Sequence, residues 1–176
     1  SRGVRENFVF IAVRGARQDG AAFSAEAAAR GARVIVTESA DPGLDSLGPH
    51  VIRIRDSRLA AARLAASYFG NPARSARVIG VTGTNGKTTS AYLVEHLLEM
   101  AGQRTGVIGT ISTRYGSVEI PAGETTPGPI KIQRTLLEMA RASCRYVVME
   151  VSSHALDQKR TEGIPFASAL FTNLTQ

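Results

Sequence analysis

The stretch RVIGVTGTNGKTTSAYLVEHLLEMAG, Arg77 to Gly102, constrains this chain more than any other. RVIGVT is a branched apolar run that reads as a buried strand, and Gly83–Lys87 interrupt it as a loop. Thr88 to Ala101 then carry helical apolar spacing, ended by Gly102. A buried strand passing through a glycine loop into a helix belongs to a parallel sheet with helices on its faces. The loop departs from the usual phosphate-binding pattern, which wants a glycine five residues before Gly86, where Val81 stands.

The chemistry survives that departure. Gly83 and Gly86 allow a sharp turn and close approach to a ligand. The first helical amides lack internal partners, and the helix dipole adds partial positive charge beside them, so a phosphate fits there. Lys87 can reach outer phosphates, and the Thr88 hydroxyl is placed to ligate Mg2+. A plain strand-to-helix turn also uses glycine and threonine. GKTT directly after a buried strand favours a nucleotide loop comprising Gly83, Thr84, Asn85, Gly86, Lys87, Thr88 and Thr89. Glu150, at the carboxyl end of the apolar run YVVME, is the acid expected to hold the metal beside it.

Two α/β units are expected around this loop. The first, residues 1–74, shows strands at Phe8–Val13, Arg33–Glu38 and His50–Arg55. Between them lie an alanine-rich helix over Asp19–Ala32 and a turn-rich loop over Asp41–Pro49. A further helix, capped by Asp56 or Ser57, runs to the break at Gly70–Pro72. In the second, residues 75–176, strands are expected at Thr105–Ile111, Tyr146–Ser152 and Phe166–Thr175, with a helix over Ile130–Ala142. The long polar connection from Ser112 to Pro129 should contain a hairpin near Tyr115–Gly116.

Composition narrows the function classes. The net charge is +6, but the arginines are scattered and aromatics are few, which disfavours a nucleic-acid interface and suits small anionic ligands. No apolar run approaches the ~20 residues of a membrane helix. Cys144 is the single cysteine, so no internal disulfide forms; a reducing, cytoplasmic setting is expected and the thiol reads as packed. His50 and His96 read as ordinary strand and helix residues. The chain reads as a fragment cut at both ends.

The motifs together resemble the Mur ligases of peptidoglycan synthesis. GTNGKTT is similar to that family's short phosphate loop, which accounts for the absent early glycine. ETTPG (Glu124–Gly128) and MEVSSHALDQKR (Met149–Arg160) resemble the branch that adds the third amino acid, the tripeptide synthetases. FVFIAVRG, QDGAAF and GARVIVTE resemble the uridine-nucleotide-binding domain that this branch shares with MurF. FTNLTQ resembles a strand end that precedes an Asp-His pair in the family.

The resemblance implies an ATP- and Mg2+-dependent amide ligase. It would phosphorylate a carboxylate of UDP-N-acetylmuramoyl-L-alanyl-D-glutamate and join it to an amino acid, diaminopimelate or lysine. Lys87 and Glu150 would be catalytic, with Thr88 and Glu150 on the metal. Thr125 and Thr126 would contact the muramoyl peptide; read alone, they could cap the helix after Pro129. Ser152, Gln158 and Arg160 would hold its acidic end, Arg160 as a carboxylate clamp. Ser1, Ala16, Arg17 and Gln18 would meet the uridine diphosphate. His154 reads as a structural group. Glu124 departs from the asparagine usual before the two threonines. The resemblance further implies a monomer, and an amino-acid-binding domain and a carbamylated lysine that these residues do not include. The fragment is expected to fold and bind ATP or substrate weakly without completing ligation. Alternatives are MurF, a folylpolyglutamate-synthetase-like ligase, or a non-catalytic nucleotide-binding module.

Overall fold

The computed structural model describes residues 3–15 and 18–175. The chain divides into two compact units, Ser1–Ala61 and Ala62–Gln176. In the first, β1 (Val9–Ala12), β2 (Val34–Thr37) and β3 (His50–Arg53) form a parallel sheet in that order. β2 is paired on both edges, and its Ile35, Val36 and Thr37 are buried.

The helix expected over Asp19–Ala32 is instead a 3-10 turn, Gly20–Phe23, leading into α1 (Ser24–Ala29). The Asp19 carboxylate accepts from the Ala21 N–H at 2.9 Å and tightens the first turn. The loop after β2 contains a second 3-10 turn, Pro42–Leu47. α2 (Ser57–Tyr68) is capped by Asp56, whose Oδ1 accepts from the Leu59 N–H at 2.8 Å. Ser57 is buried and donates to Glu38 instead, so of the two candidate caps only Asp56 caps through its side chain. The division between the units falls inside α2.

The second unit holds β4 (Arg77–Thr82), α3 (Lys87–Met100), β5 (Thr105–Ile108), β6 (Ser112–Tyr115) and β7 (Val118–Pro121). α4 (Pro129–Arg141), β8 (Tyr146–Glu150), α5 (Ser153–Asp157) and β9 (Phe166–Phe171) follow. The sheet order is β7-β6-β5-β8-β4-β9. β5, β8, β4 and β9 run parallel, while β6 and β7 form an antiparallel hairpin on the β5 edge. The polar connection is therefore partly sheet. Its hairpin turns where expected, and β7, with Val118 and Ile120 alternating with Glu119, is exposed throughout.

β8 sits between β5 and β4 and is the spine of the core. Val147 and Met149 pack on the side of Ile132, Leu136 and Met139 from α4. Val148 packs on the side of Ala91, Val94 and Leu98 from α3. Each such aliphatic side chain contributes about 1.5–3 kcal/mol by burial. Cys144 belongs to the α4-side cluster, and burial pushes its thiol above the ordinary range, as suits a packed thiol.

In the second unit, three expected strands end early. β5 stops at Ile108 because Gly109 and Thr110 leave the sheet toward Glu150. β8 stops at Glu150, and Ser152 caps α5 by accepting from the Ala155 N–H at 3.2 Å. α5 itself was not expected, being too short to show a helical period. β9 stops at Phe171, and the chain beyond it folds over the glycine loop.

Candidate functional site

β4 delivers the glycine loop to the carboxyl end of the sheet, and Gly86, with φ +82°, opens α3. Gly83, at φ +132°, has no alternative: a Cβ there would lie 2.1 Å from Thr172 Oγ1. The Lys87 ammonium curls back and donates to the carbonyls of Gly83 at 2.8 Å and Thr84 at 2.9 Å. It is thereby held at the mouth of the loop. Thr88, half-buried, and Thr89, exposed, lie in the first turn of α3, where amides lack helical partners.

Glu150 is completely buried at the end of β8. Its Oε2 accepts from the Thr88 hydroxyl and from the Thr110 hydroxyl, each at 2.9 Å, and its Oε1 accepts from the Thr110 N–H at 2.9 Å. None of these partners is charged. The close fit requires glycine at 109, where a Cβ would stand 2.5 Å from Oε1. A buried carboxylate beside a threonine hydroxyl is a hard oxygen pair, and it fits Mg2+ that keeps other ligands from water or phosphate. Among the described residues no group of three His, Cys, Asp or Glu could hold a metal alone. The donor set suits a metal completed by a bound phosphate.

From Glu150 the network continues to the other expected residues. Thr110 Oγ1 lies 3.0 Å from Thr125 Oγ1. The buried Thr126 hydroxyl donates to the Glu150 carbonyl at 2.9 Å and accepts from the Ser152 N–H at 3.0 Å. It ties two segments together, while α4 begins on Gly128 with no side-chain cap, so neither threonine caps that helix. Arg160 Nη1 donates to the Thr126 carbonyl at 2.6 Å and to Glu124 Oε2 at 2.7 Å. Its Nε donates to Gln158 Oε1 at 2.9 Å, and the Gln158 amide nitrogen lies 2.7 Å from His154 Nε2. His154 thus touches the Gln158 amide of the cluster. Ser152 is drawn in mainly as a cap and through its backbone.

The structure therefore brings Thr88, Glu150, Thr125, Thr126, Gln158 and Arg160 into one continuous network, while Lys87 bonds only within the glycine loop. Sequence reasoning missed Thr110, which bridges the carboxylate to Thr125; its signal was a threonine directly after the strand TGVIG. It also left unassigned Thr172 and Asn173, which contact the glycine loop. In the first unit, the Gln18 carbonyl accepts from the Gly15 N–H at 3.0 Å, and Arg14 pairs with Asp19. Ser1, Ala16 and Arg17, the other residues assigned to the uridine end, lie outside the described residues.

Two family models match the chain. The Mur ligase middle domain matches residues 81–176. The Mur ligase family catalytic domain matches residues 1–69. Over all 176 residues the chain is 46% identical to the UDP-N-acetylmuramoyl-L-alanyl-D-glutamate--2,6-diaminopimelate ligase of Geobacter sulfurreducens, covering 34% of that protein. It is 44% identical to the enzyme of the same name from Aquifex aeolicus, covering 36% of it. The chain thus spans about a third of the length of the curated relatives it matches. A solved structure of a ligase with that name superposes with a TM-score of 0.80 at 28% identity, over 99% of this chain and 35% of the other. MurF ligase from Thermotoga maritima in complex with ADP gives 0.61 at 26% identity, over 98% of this chain and 36% of the other.

Proposed function

The chain belongs to the Mur ligase family, and from that premise we propose that it carries the substrate- and ATP-binding parts of a MurE-type ligase. That enzyme joins 2,6-diaminopimelate to UDP-N-acetylmuramoyl-L-alanyl-D-glutamate in peptidoglycan precursor synthesis, in the cytoplasm where ATP is supplied. The amino acid is assigned from the relatives at 40–46% identity, which are named for diaminopimelate. Residues 1–74 take the uridine end through Ser1, Ala16, Arg17 and Gln18, and residues 75–176 take the nucleotide and the peptide.

The observation that carries this reading is the Thr88–Glu150 hydrogen bond at 2.9 Å, which joins the glycine-loop helix to the buried end of the central strand. Bound MgATP would supply the phosphoryl group that activates the D-glutamate carboxylate as an acyl phosphate. The chain's residues do the rest by positioning and charge. The amides opening α3 and the Lys87 ammonium stabilise negative charge on the transferring group. Thr88 and Glu150 would hold the metal, with Thr110 orienting the carboxylate through its N–H and hydroxyl. Thr125 and Thr126 line the approach of the muramoyl peptide, and Arg160, oriented by Gln158, receives a substrate carboxylate.

The test is ADP release by the full-length protein containing these residues. It is run with the muramoyl dipeptide and, in turn, diaminopimelate, lysine or no amino acid. Release that needs both the dipeptide and diaminopimelate is expected. Release indifferent to the dipeptide would leave a nucleotide loop and remove the ligase.

A further inference from the structure

The chain after β9 closes over the glycine loop from outside it. The Asn173 carbonyl accepts from the Thr84 N–H at 2.9 Å. Its side-chain amide then pairs with both faces of one residue. Asn173 Oδ1 accepts from the Asn85 N–H at 3.1 Å, and Nδ2 donates to the Asn85 carbonyl at 3.1 Å. The Thr172 hydroxyl donates to that same carbonyl at 2.6 Å. The Thr175 N–H donates to Thr84 Oγ1 at 3.2 Å. Gly83 is compressed beneath this strap, which no Cβ would clear.

These contacts answer the question raised by Val81. A loop with the full glycine complement begins its turn five residues before Gly86; here β4 runs on to Thr82, and the turn is made in fewer residues. Within the loop the Lys87 ammonium takes the Thr84 carbonyl, but the N–H groups of Thr84 and Asn85 bond outside it. Their N–H groups point at Asn173 and are consumed by it, so the anion must be met from Gly86 onward. The direction of those amides is inherited from the Asn85 peptide, which the Asn173 amide fixes from both sides.

We infer that Asn173 is a positioning residue for the phosphate-binding loop. It substitutes a tertiary contact for the missing glycine and sets the aim of the first α3 amides and Lys87 without itself touching the nucleotide. The inference rests on the reading of Gly83–Thr89 as a nucleotide loop.

The experiment is direct titration of Mg2+ and ATP into the full-length protein and its variants by calorimetry, beside steady-state KM values for both ATP and the muramoyl dipeptide. Asn173→Ala removes two hydrogen bonds and is expected to weaken ATP binding about tenfold or more. The KM for the dipeptide should stay within about twofold, and the unfolding temperature without nucleotide should hold within a few degrees. Asn173→Asp keeps the shape and the acceptor, loses the donor and brings a negative charge toward the phosphates. It should weaken ATP binding further than alanine does, and it serves if the alanine variant fails to fold. Unchanged ATP affinity in both variants would overturn the inference. So would an equal loss for both substrates with a lowered unfolding temperature, which marks a general structural role. A wild-type protein that binds no ATP would instead overturn the nucleotide-loop reading beneath it.

Discussion

Two parts of the site are built in opposite ways. The glycine loop occupies consecutive residues, Gly83 to Thr89, whose backbone does most of the work. The Arg160 cluster gathers Glu124, Thr126, Gln158 and His154 from two segments, largely through side chains. A contiguous loop gains its geometry from local turn and helix physics, with amides aimed by the helix they begin. A scattered cluster has geometry only when the sheet is complete, because Thr126 reaches it by bonding to the end of β8. The first part should be sensitive to single atoms on one chain segment, and the second to whatever loosens the segments that meet there.

The sharpest break of that comparison is Lys87→Ala in the full-length protein. It should lower turnover by about 10²–10³-fold with the fold intact, since it removes a preorganised charge at the transferring group. Circular dichroism and ADP release check it, and a near-wild-type rate would detach the loop from catalysis. Arg160→Ala should act on the other half, raising KM for the muramoyl dipeptide about tenfold or more while the KM for ATP stays nearly fixed. If either variant moved both constants equally, the two halves would be one unit.

Glu124→Gln sharpens the same contrast. Glu124 is largely exposed, yet its carboxylate already occupies the Arg160 guanidinium at 2.7 Å. A substrate carboxylate must compete with it. Neutralising it should lower the KM for the dipeptide about two- to threefold, in keeping with the small worth of an exposed pair. A raised KM would show that Glu124 assists binding.

The smallest effect lies in the first unit and serves as a control. Glu38 accepts from the Ser57 N–H and hydroxyl, both at 2.6 Å, and these bonds hold its carboxyl below the ordinary 4.5. A lowered folded value means the stabilisation is complete at neutral pH and is lost as pH falls from about 4.5 through that value. Ser57→Ala should therefore cost about 1 kcal/mol near pH 7, and less as the medium becomes acidic, by thermal unfolding at several pH values. Neither substrate constant should depend on it in any way particular to ATP.

Much of this was legible beforehand, and the reason differs by region. The strand–loop–helix at 77–102 was readable because one local period gives way to another across glycines. Burial of Glu150 was readable because a continuous apolar run of strand length led into it. The β6–β7 hairpin was readable from its turn at Tyr115–Gly116, although β7 is exposed along its length. The helix at Asp19–Ala32 was over-read, because alanine content favours helix while the Asp19 side chain tightens its first turn into 3-10 geometry.

The sequence by itself determined the kind of sheet, the place of the glycine loop, the buried acid beside it and the family likeness, since these rest on residues adjacent in the chain. Only the tertiary structure decided that Asn173 reaches back 88 residues to the peptide of Asn85, that Thr110 orients Glu150, and that Glu124 sits on Arg160. Those contacts join segments distant in sequence at the carboxyl edge of one sheet. The strand order that brings β8 between β5 and β4, and β9 against β4, is fixed by packing and has no signature in local spacing.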